Sequence, residues 1–298
     1  MITYPDIRDL QMLQALARRQ HFTQAAEDCG ISQPAFSARI RHLEETLGVP
    51  VVRRGNKFLG FTKDGELLLK WASKILTDAE GLRQEMEVSK GELRGALVLG
   101  VVPTALTYAS KVSTLLRDTY PGLSIQIQAL TSAQILRGLG DYSIDAGITY
   151  QNDDESTAIS FEVIYDEHYV LLSPNDLSPR QRGKATWEEA SRLPLCLLSK
   201  DMHFREIIDD VFLQATLNPV PVMETNSFTA ALAQVATGSA ATVAPSRLAD
   251  SLLLDKSVIK LTLSQPAVSN AIGLCVLDQD PGLPAIAALR QVIRDHDN

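Results

Sequence analysis

The chain has 298 residues, 45% of them apolar and 21% charged, with a formal net charge of −8. That composition excludes an intrinsically disordered chain, and the acidity excludes one that is basic throughout, such as a histone-like protein. At roughly 100–200 residues per domain the length suggests about two domains. The cysteines Cys29, Cys196 and Cys275 form no CxxC and cannot all pair, so neither a disulfide framework nor a zinc or other metal site is indicated. The segment MITYPDIRDLQ lacks the pattern of a signal peptide, and no run of about 18 apolar residues suggests a membrane span. A soluble, cytoplasmic protein is the expectation.

In chain order, residues 6–19 place Ile7, Leu10, Leu13, Leu16 and Ala17 at helical spacing. Residues 23–29 predict a second short helix with Thr23 as N-cap, broken by Gly30. Ser32 caps a third helix, with Pro34 in its first turn, where no backbone donor is needed. Phe36, Ile40, Leu43 and Leu47 form its apolar stripe, and Gln33, Ser37 and Arg41 share another face. Residues 51–61, VVRRGNKFLGF, read as two short strands around Gly55-Asn56.

From Thr62 to about Ser89 the pattern is a single long helix. Leu68, Ala72, Ile75, Ala79, Leu82 and Met86 recur at spacings of 4, 3, 4, 3 and 4, a heptad seam that suits pairing between two chains. After Gly91 and Gly95, short apolar runs such as ALVLGVV, SIQIQAL, DAGITY, YVLLS, LPLCLLS and AIGLCVL alternate with helical stretches, which predicts an α/β architecture.

Charge is unevenly spread. Residues 1–60 carry eight basic and six acidic side chains, a balance of +2 that leaves −10 for the remainder. A small three-helix unit with a polar, cationic helix face suits the DNA major groove, which is wide enough for one helix. With so little net positive charge, one copy would bind DNA weakly, and pairing through the seam would multiply its phosphate contacts.

The segment 22–48 resembles the DNA-binding domain of the bacterial LysR-type transcriptional regulators. The resemblance rests on Phe22-Thr23-Gln24-Ala25-Ala26, Ser32-Gln33-Pro34-Ala35, Ser37 through Ile40 to Leu43-Glu44, and Leu47-Gly48. It implies three parts: an N-terminal all-α winged helix-turn-helix at 1–61, a long linker and dimerisation helix at 62–91, and a C-terminal effector domain at 92–298. The last is implied to be α/β, two-lobed and periplasmic-binding-protein-like, with one lobe at about 92–163 plus 268–298 and the other at about 164–267. Crossings near Phe161–Tyr165 and Gln265–Ser269 would join the lobes.

For DNA, the resemblance implies that Gln33, Pro34 and Ser37 approach base edges or backbone and that Thr23 and Ser32 offer hydroxyls to phosphates. The two-headed amide of Gln33 suits adenine, and Arg41 suits phosphate. Arg39 is assigned to the same surface; the alternative for both arginines is a surface ion pair with Glu44 or Glu45. Arg53, Arg54 and Lys57 would reach the backbone or adjacent minor groove from the wing. Many members have Arg after the helix serine where this chain has Ala38, and Leu-Phe where it has Val51-Val52; Cys29 replaces a usual Leu.

For the effector, strand-to-helix junctions place Thr104, Thr131, Ser132, Ser199, His203, Phe204, Asn226 and Ser227 around an interlobe cleft. They suit a small polar or carboxylate effector, and no cofactor is implied. The alternative is that Ser, Thr and Asn merely cap helices there, and that the lobes serve only assembly. Asp145, in DAGITY, reads as structural. Where some members carry paired peroxide-sensing cysteines, this chain has Phe204 and no Cys within 197–215; Cys196 and Cys275 read as core. No HExxH, GxSxG, Walker or Rossmann pattern occurs, so an enzyme is not expected. The implied partners are double-stranded promoter DNA, a small-molecule effector, a second copy in a homodimer assembling to a homotetramer, and RNA polymerase as a further candidate; no membrane is implied.

Overall fold

The computed structural model describes residues 4–53, 55, 58–151, 158–179, 183–251 and 257–297. Arg54 and Lys57 of the expected wing lie outside these residues. The chain divides into two compact units. One comprises Met1–Gly95, Gly140–Ser143 and Pro281–Ala285, and the other Ala96–Leu139, Ile144–Asp280 and Ile286–Asn298.

The first unit opens with α1 (Ile7–Arg19), α2 (Phe22–Asp28) and α3 (Gln33–Leu47). Asp6 starts α1 by accepting the Asp9 N–H at 2.8 Å, and the Asp9 carboxylate accepts the Asp6 N–H at 3.3 Å, a reciprocal capping box. The cap of α2 differs from the expectation. His21 occupies that position without a side-chain capping bond, and Thr23 is an exposed residue inside the first turn. Gly30, at φ 65°, turns the chain toward α3, where Ser32 Oγ accepts the Ala35 N–H at 3.4 Å and Pro34 sits in the first turn.

Leu10, Leu13, Leu16, Ala25, Ala26, Phe36 and Ile40 form the core of this unit. The two alanines are fully buried, and their small size brings the helices together. Glu44 is a buried exception: its Oε1 accepts the N–H groups of Val51 and Val52 at 2.8 and 3.1 Å. That bond ties the end of α3 to the wing. Among the described residues the wing is a single antiparallel bridge, Val52 to Phe61, with Arg53 N–H donating to Gly60 O at 2.9 Å, rather than two full strands.

Helix α4 (Lys63–Val88) starts at Thr62, whose Oγ1 accepts the Gly65 N–H at 3.0 Å. A Cβ on Gly65 would lie 2.1 Å from the Val51 carbonyl oxygen, so the helix meets the wing closely there. The seam divides along the helix, contrary to the expectation of one uniform pairing face. Ala72 is in the core of this unit and Leu68 packs against that core. Ile75, Leu82 and Met86 are exposed, joined by Leu67 and Trp71. The uncovered stripe therefore runs Leu67, Trp71, Ile75, Leu82, Met86, with half-buried Ala79 between them and the reader holding the neighbouring face. Gln84, fully buried, accepts the Ala285 N–H at 3.1 Å.

The second unit contains β1 (Arg94–Val101), α5 (Leu106–Thr119), β2 (Gly122–Ala129), α6 (Ser132–Gly140), β3 (Ala146–Tyr150) and β4 (Ile159–Pro174). It continues through β5 (Lys184–Thr186), α7 (Trp187–Ser191), β6 (Cys196–Leu198), α8 (His203–Gln214), β7 (Met223–Thr225) and α9 (Phe228–Ala236). It ends with β8 (Thr242–Pro245), α10 (Ser246–Ser251), β9 (Val258–Ser264), β10 (Ser269–Leu277) and α11 (Pro284–Asp297), whose first two residues belong to the first unit. The sheet order is β2-β1-β3-β10-β4-β9-β5, with β8 also alongside β4.

Two lobes follow from the pairing of one long strand. Residues 159–168 of β4 run antiparallel to β10, and residues 169–174 pair with β8 and β9. β4 changes partner between His168 and Tyr169, on the same strand as the crossing expected near Phe161–Tyr165. The sequence marked no break there because the strand continues unbroken from one lobe into the other. The chain crosses a second time between β9 and β10. The parallel pair β6 and β7 joins the second lobe through the bridge of Leu195 to Ala241. Asp145 accepts the Val98 N–H at 2.7 Å, which locks β3 to β1.

Candidate DNA-reading face and interlobe site

The N-terminal ends of α2 and α3 and the wing enclose a concave surface of about 820 Å³. Thr23, Gln33, Pro34, Ser37, Arg41 and Arg53 all line it, with His21, Phe22 and Phe58 between them. The physical origin is the short α2, whose buried Ala25 and Ala26 let α3 lie across it with its polar side outward. Gln33 and Ser37, one turn apart, are linked by a bond from Gln33 Nε2 to Ser37 Oγ at 2.9 Å. That bond pre-orients the amide. Ser32 is exposed at the head of α3, where its hydroxyl is already engaged as the cap.

Arg39 is placed elsewhere. Its guanidinium makes ion pairs with Asp6 and with Asp9 (2.5 Å to the latter), in a hollow also lined by Tyr4, Pro5, His42, Leu43 and Thr46. The expected DNA role of Arg39 is therefore replaced by a clamp between α1 and α3. The signal was present in the capping box: its two carboxylates need a cation, and Arg39 supplies it. Among the described residues, Arg41 and Arg53 make no ion pair.

In the second unit, Thr104 and Tyr150 of the first lobe meet Glu167 at the crossing. The Tyr150 hydroxyl lies 2.6 Å from Glu167 Oε1 and 3.0 Å from Thr104 Oγ1. A phenol has one hydrogen, so the shorter contact takes it and the Thr104 hydroxyl donates to the phenol oxygen. His203, at the head of α8 in the second lobe, places its ring 5.1 Å from that of Tyr150 and its Nδ1 2.9 Å from Glu206. The two lobes thus touch at Tyr150 and His203, with Glu167 behind.

Burial pushes the Glu167 carboxyl up to about 7, against the hydrogen bond from Tyr150 that favours its charged form. Burial likewise raises the Tyr150 phenol well above its ordinary value, helped by the neighbouring Glu167 charge. Glu167 Oε2 and Ser199 Oγ are buried without a partner among the described residues.

The remaining expected effector residues divide. Ser132 Oγ accepts the Thr149 hydroxyl at 2.9 Å. Thr131 forms a capping pair with Gln134 at the start of α6, and Ser227 Oγ caps α9 through the Ala230 N–H at 3.5 Å. Asn226 is exposed. Phe204 is buried, edge-on to Tyr169 and Phe228 at 5.7 and 5.3 Å. Its expected ligand contact is thereby corrected to packing inside the second lobe. Sequence reasoning missed Tyr150, Glu167 and Tyr169. Tyr165, Glu167 and Tyr169 alternate with exposed Asp166 and His168, so the period of two along the strand was the available signal.

Comparison with known proteins agrees with both regions. Residues 7–66 match the bacterial regulatory helix-turn-helix protein, lysR family, and residues 90–298 match the LysR substrate binding domain. The chain is 28% identical over 291 residues to the DNA-binding transcriptional dual regulator OxyR of Escherichia coli K12, covering 97% of this chain and 95% of that protein. It is 28% identical over 293 residues to a hydrogen peroxide-inducible genes activator of Dickeya chrysanthemi, covering 98% and 95%. Among solved structures, a cysteine-to-aspartate variant of full-length OxyR from Pseudomonas aeruginosa matches with a TM-score of 0.78 and 25% identity, covering 98% of this chain and 95% of that one. Full-length CbnR complexed with its target DNA shares the fold, with a TM-score of 0.72 and 19% identity over 98% and 99% of the two chains. The chain belongs to the LysR family of DNA-binding transcriptional regulators, with a helix-turn-helix domain followed by a substrate-binding domain.

Proposed function

We propose that this regulator reads DNA through Gln33, Pro34 and Ser37, with Thr23, Ser32, Arg41 and Arg53 contacting backbone. The observation that carries this reading is the convergence of six of these residues on one concave face. The Gln33–Ser37 bond supports base reading in particular, because an oriented amide presents one donor and one acceptor to an adenine edge. The protein works as a dimer through the exposed stripe of α4, and two dimers assemble as a tetramer on promoter DNA. A reader of +2 on a body of −10 needs several copies to accumulate phosphate contacts. A small molecule held where the lobes meet biases their arrangement and thereby the assembly on DNA.

The relatives named for peroxide raise a second reading, peroxide sensing by thiol chemistry. It is disfavoured by the positions of the thiols. Cys196 and Cys275 are buried, and burial raises both pKa values, that of Cys275 to about 12, so their reactive thiolate forms are suppressed. Phe204 stands at the head of α8. The protein acts as a regulator and not as an enzyme, in the cytoplasm, with RNA polymerase a further partner at the promoter.

The test is DNA binding by fluorescence anisotropy, on a duplex selected by the protein and on a scrambled one. Gln33→Ala with Ser37→Ala should weaken binding to the selected duplex by about 1–3 kcal/mol and leave binding to the scrambled duplex little changed. Equal loss on both would show that these residues do not read bases.

A further inference from the structure

Glu167 is 1% exposed, yet only one of its carboxyl oxygens is used. Oε1 takes the Tyr150 hydroxyl at 2.6 Å, while Oε2 is buried with no partner among the described residues. Leaving such an atom unpaired is costly, and in the charged form of the carboxyl it calls for a donor.

The protein's own cations nearby are committed elsewhere. Arg205, in the first turn of α8, donates to Asp209 at 2.7 Å and to Glu224 and the Leu198 carbonyl at 2.6 Å. His203 is turned to Glu206, and Arg247 lies 4.2 Å above the Tyr165 ring.

We propose that the interlobe site takes a small organic ammonium, whose N–H group donates to Glu167 Oε2. The proposal rests on the reading of this junction as the effector site, and it narrows the ligand chemistry. An amino acid or a diamine supplies the missing donor. A plain mono- or dicarboxylate supplies no N–H donor, and it repels the carboxyl in its charged form. An ammonium in this place also reaches both lobes, because Glu167 is bonded to Tyr150 of the first lobe and Tyr150 faces His203 of the second.

The test is isothermal titration calorimetry on the full chain. The probes are putrescine, cadaverine and the twenty standard amino acids, each beside its carboxylic or hydroxy-acid counterpart lacking the amine. At least one ammonium compound should bind, with its deaminated partner at least about tenfold weaker, a difference of about 1.4 kcal/mol. Glu167→Gln, which keeps the side-chain size, should weaken the ammonium compound by a similar factor, with folding checked by melting temperature. The matched pairs on the unmodified protein decide the matter even where that variant does not fold. Equal binding of both members of a pair, or binding of the acids alone, overturns the proposal and leaves the effector reading of the site standing. Binding of neither kind overturns both.

Discussion

At the residue scale, the most informative side chain is Glu167, whose environment ties stability to pH. Its folded pKa is raised to about 7, above the ordinary carboxylate value, because burial disfavours the charge. The resulting stabilisation is complete below the unfolded pKa of about 4.3 and is lost as pH rises through about 7. The groups facing the carboxyl are Tyr150 from β3 and Thr104, with Tyr169 on its own strand and His203 beyond Tyr150. Between pH 5 and 8 the ligand-free protein should lose about 2–3 kcal/mol through this one group. Urea denaturation at several pH values should show the loss in the natural chain and its absence in Glu167→Gln. An unchanged pH slope in the variant would mean that the carboxyl is not held neutral.

The reading face makes a second prediction at this scale. Arg41 and Arg53 line the concave surface without an ion pair among the described residues, so each is available to phosphate. Replacing either with Ala should weaken binding uniformly across sequences and reduce the salt slope by about 1. Arg39→Ala should instead lower folding stability, since its guanidinium clamps Asp6 and Asp9. Anisotropy titrations over a range of salt concentrations, with melts alongside, separate these outcomes.

Local chemistry explains how legible these residues were. Ser32, Gln33, Pro34 and Ser37 announced themselves because a cap, a first-turn proline and helical spacing are all local signals. Arg39 misled because its partners, Asp6 and Asp9, lie thirty residues and more away in the chain. Tyr150 and Glu167 were invisible as a pair for the same reason: nothing within one strand says that its acid will meet a phenol from another.

At the element scale, α4 carries the argument. The heptad pattern was readable from sequence, but its division between two faces was not, because Leu68 and Leu67 look alike until the core claims one of them. The reader takes Leu68 and Ala72, and the stripe of Leu67, Trp71, Ile75, Leu82 and Met86 stays uncovered. Ile75→Glu should therefore give monomers in sedimentation velocity with the fold intact, whereas Ala72→Glu should unfold the reader. Unchanged assembly in Ile75→Glu would remove α4 as the pairing element. Gly65 provides an internal check on the start of this helix. A methyl there would meet the Val51 carbonyl oxygen at 2.1 Å, so Gly65→Ala should cost about 1–3 kcal/mol in thermal or urea unfolding.

For the whole molecule, the alternation of strands and helices announced an α/β body, and the residue types around Gly30 and Ser32 announced the reader. The lobe boundary was less legible. β4 runs from one lobe into the other as a single 16-residue strand, and only its change of partner at His168 and Tyr169 marks the division. Pairing is a property of the fold and leaves no mark in the strand's own sequence. The net charge of −8 concealed the function in a similar way, since a +2 reader is carried on a −10 body.

A symmetric pair of weakly charged readers is proposed to recognise the DNA sequence. Selection of bound duplexes by the full chain from a random pool, followed by sequencing, tests it most directly. The expected outcome is enrichment of a two-fold symmetric site, two inverted half-sites related by the symmetry of the protein dimer. Enrichment of no sequence, or of a single site without symmetry, would contradict it.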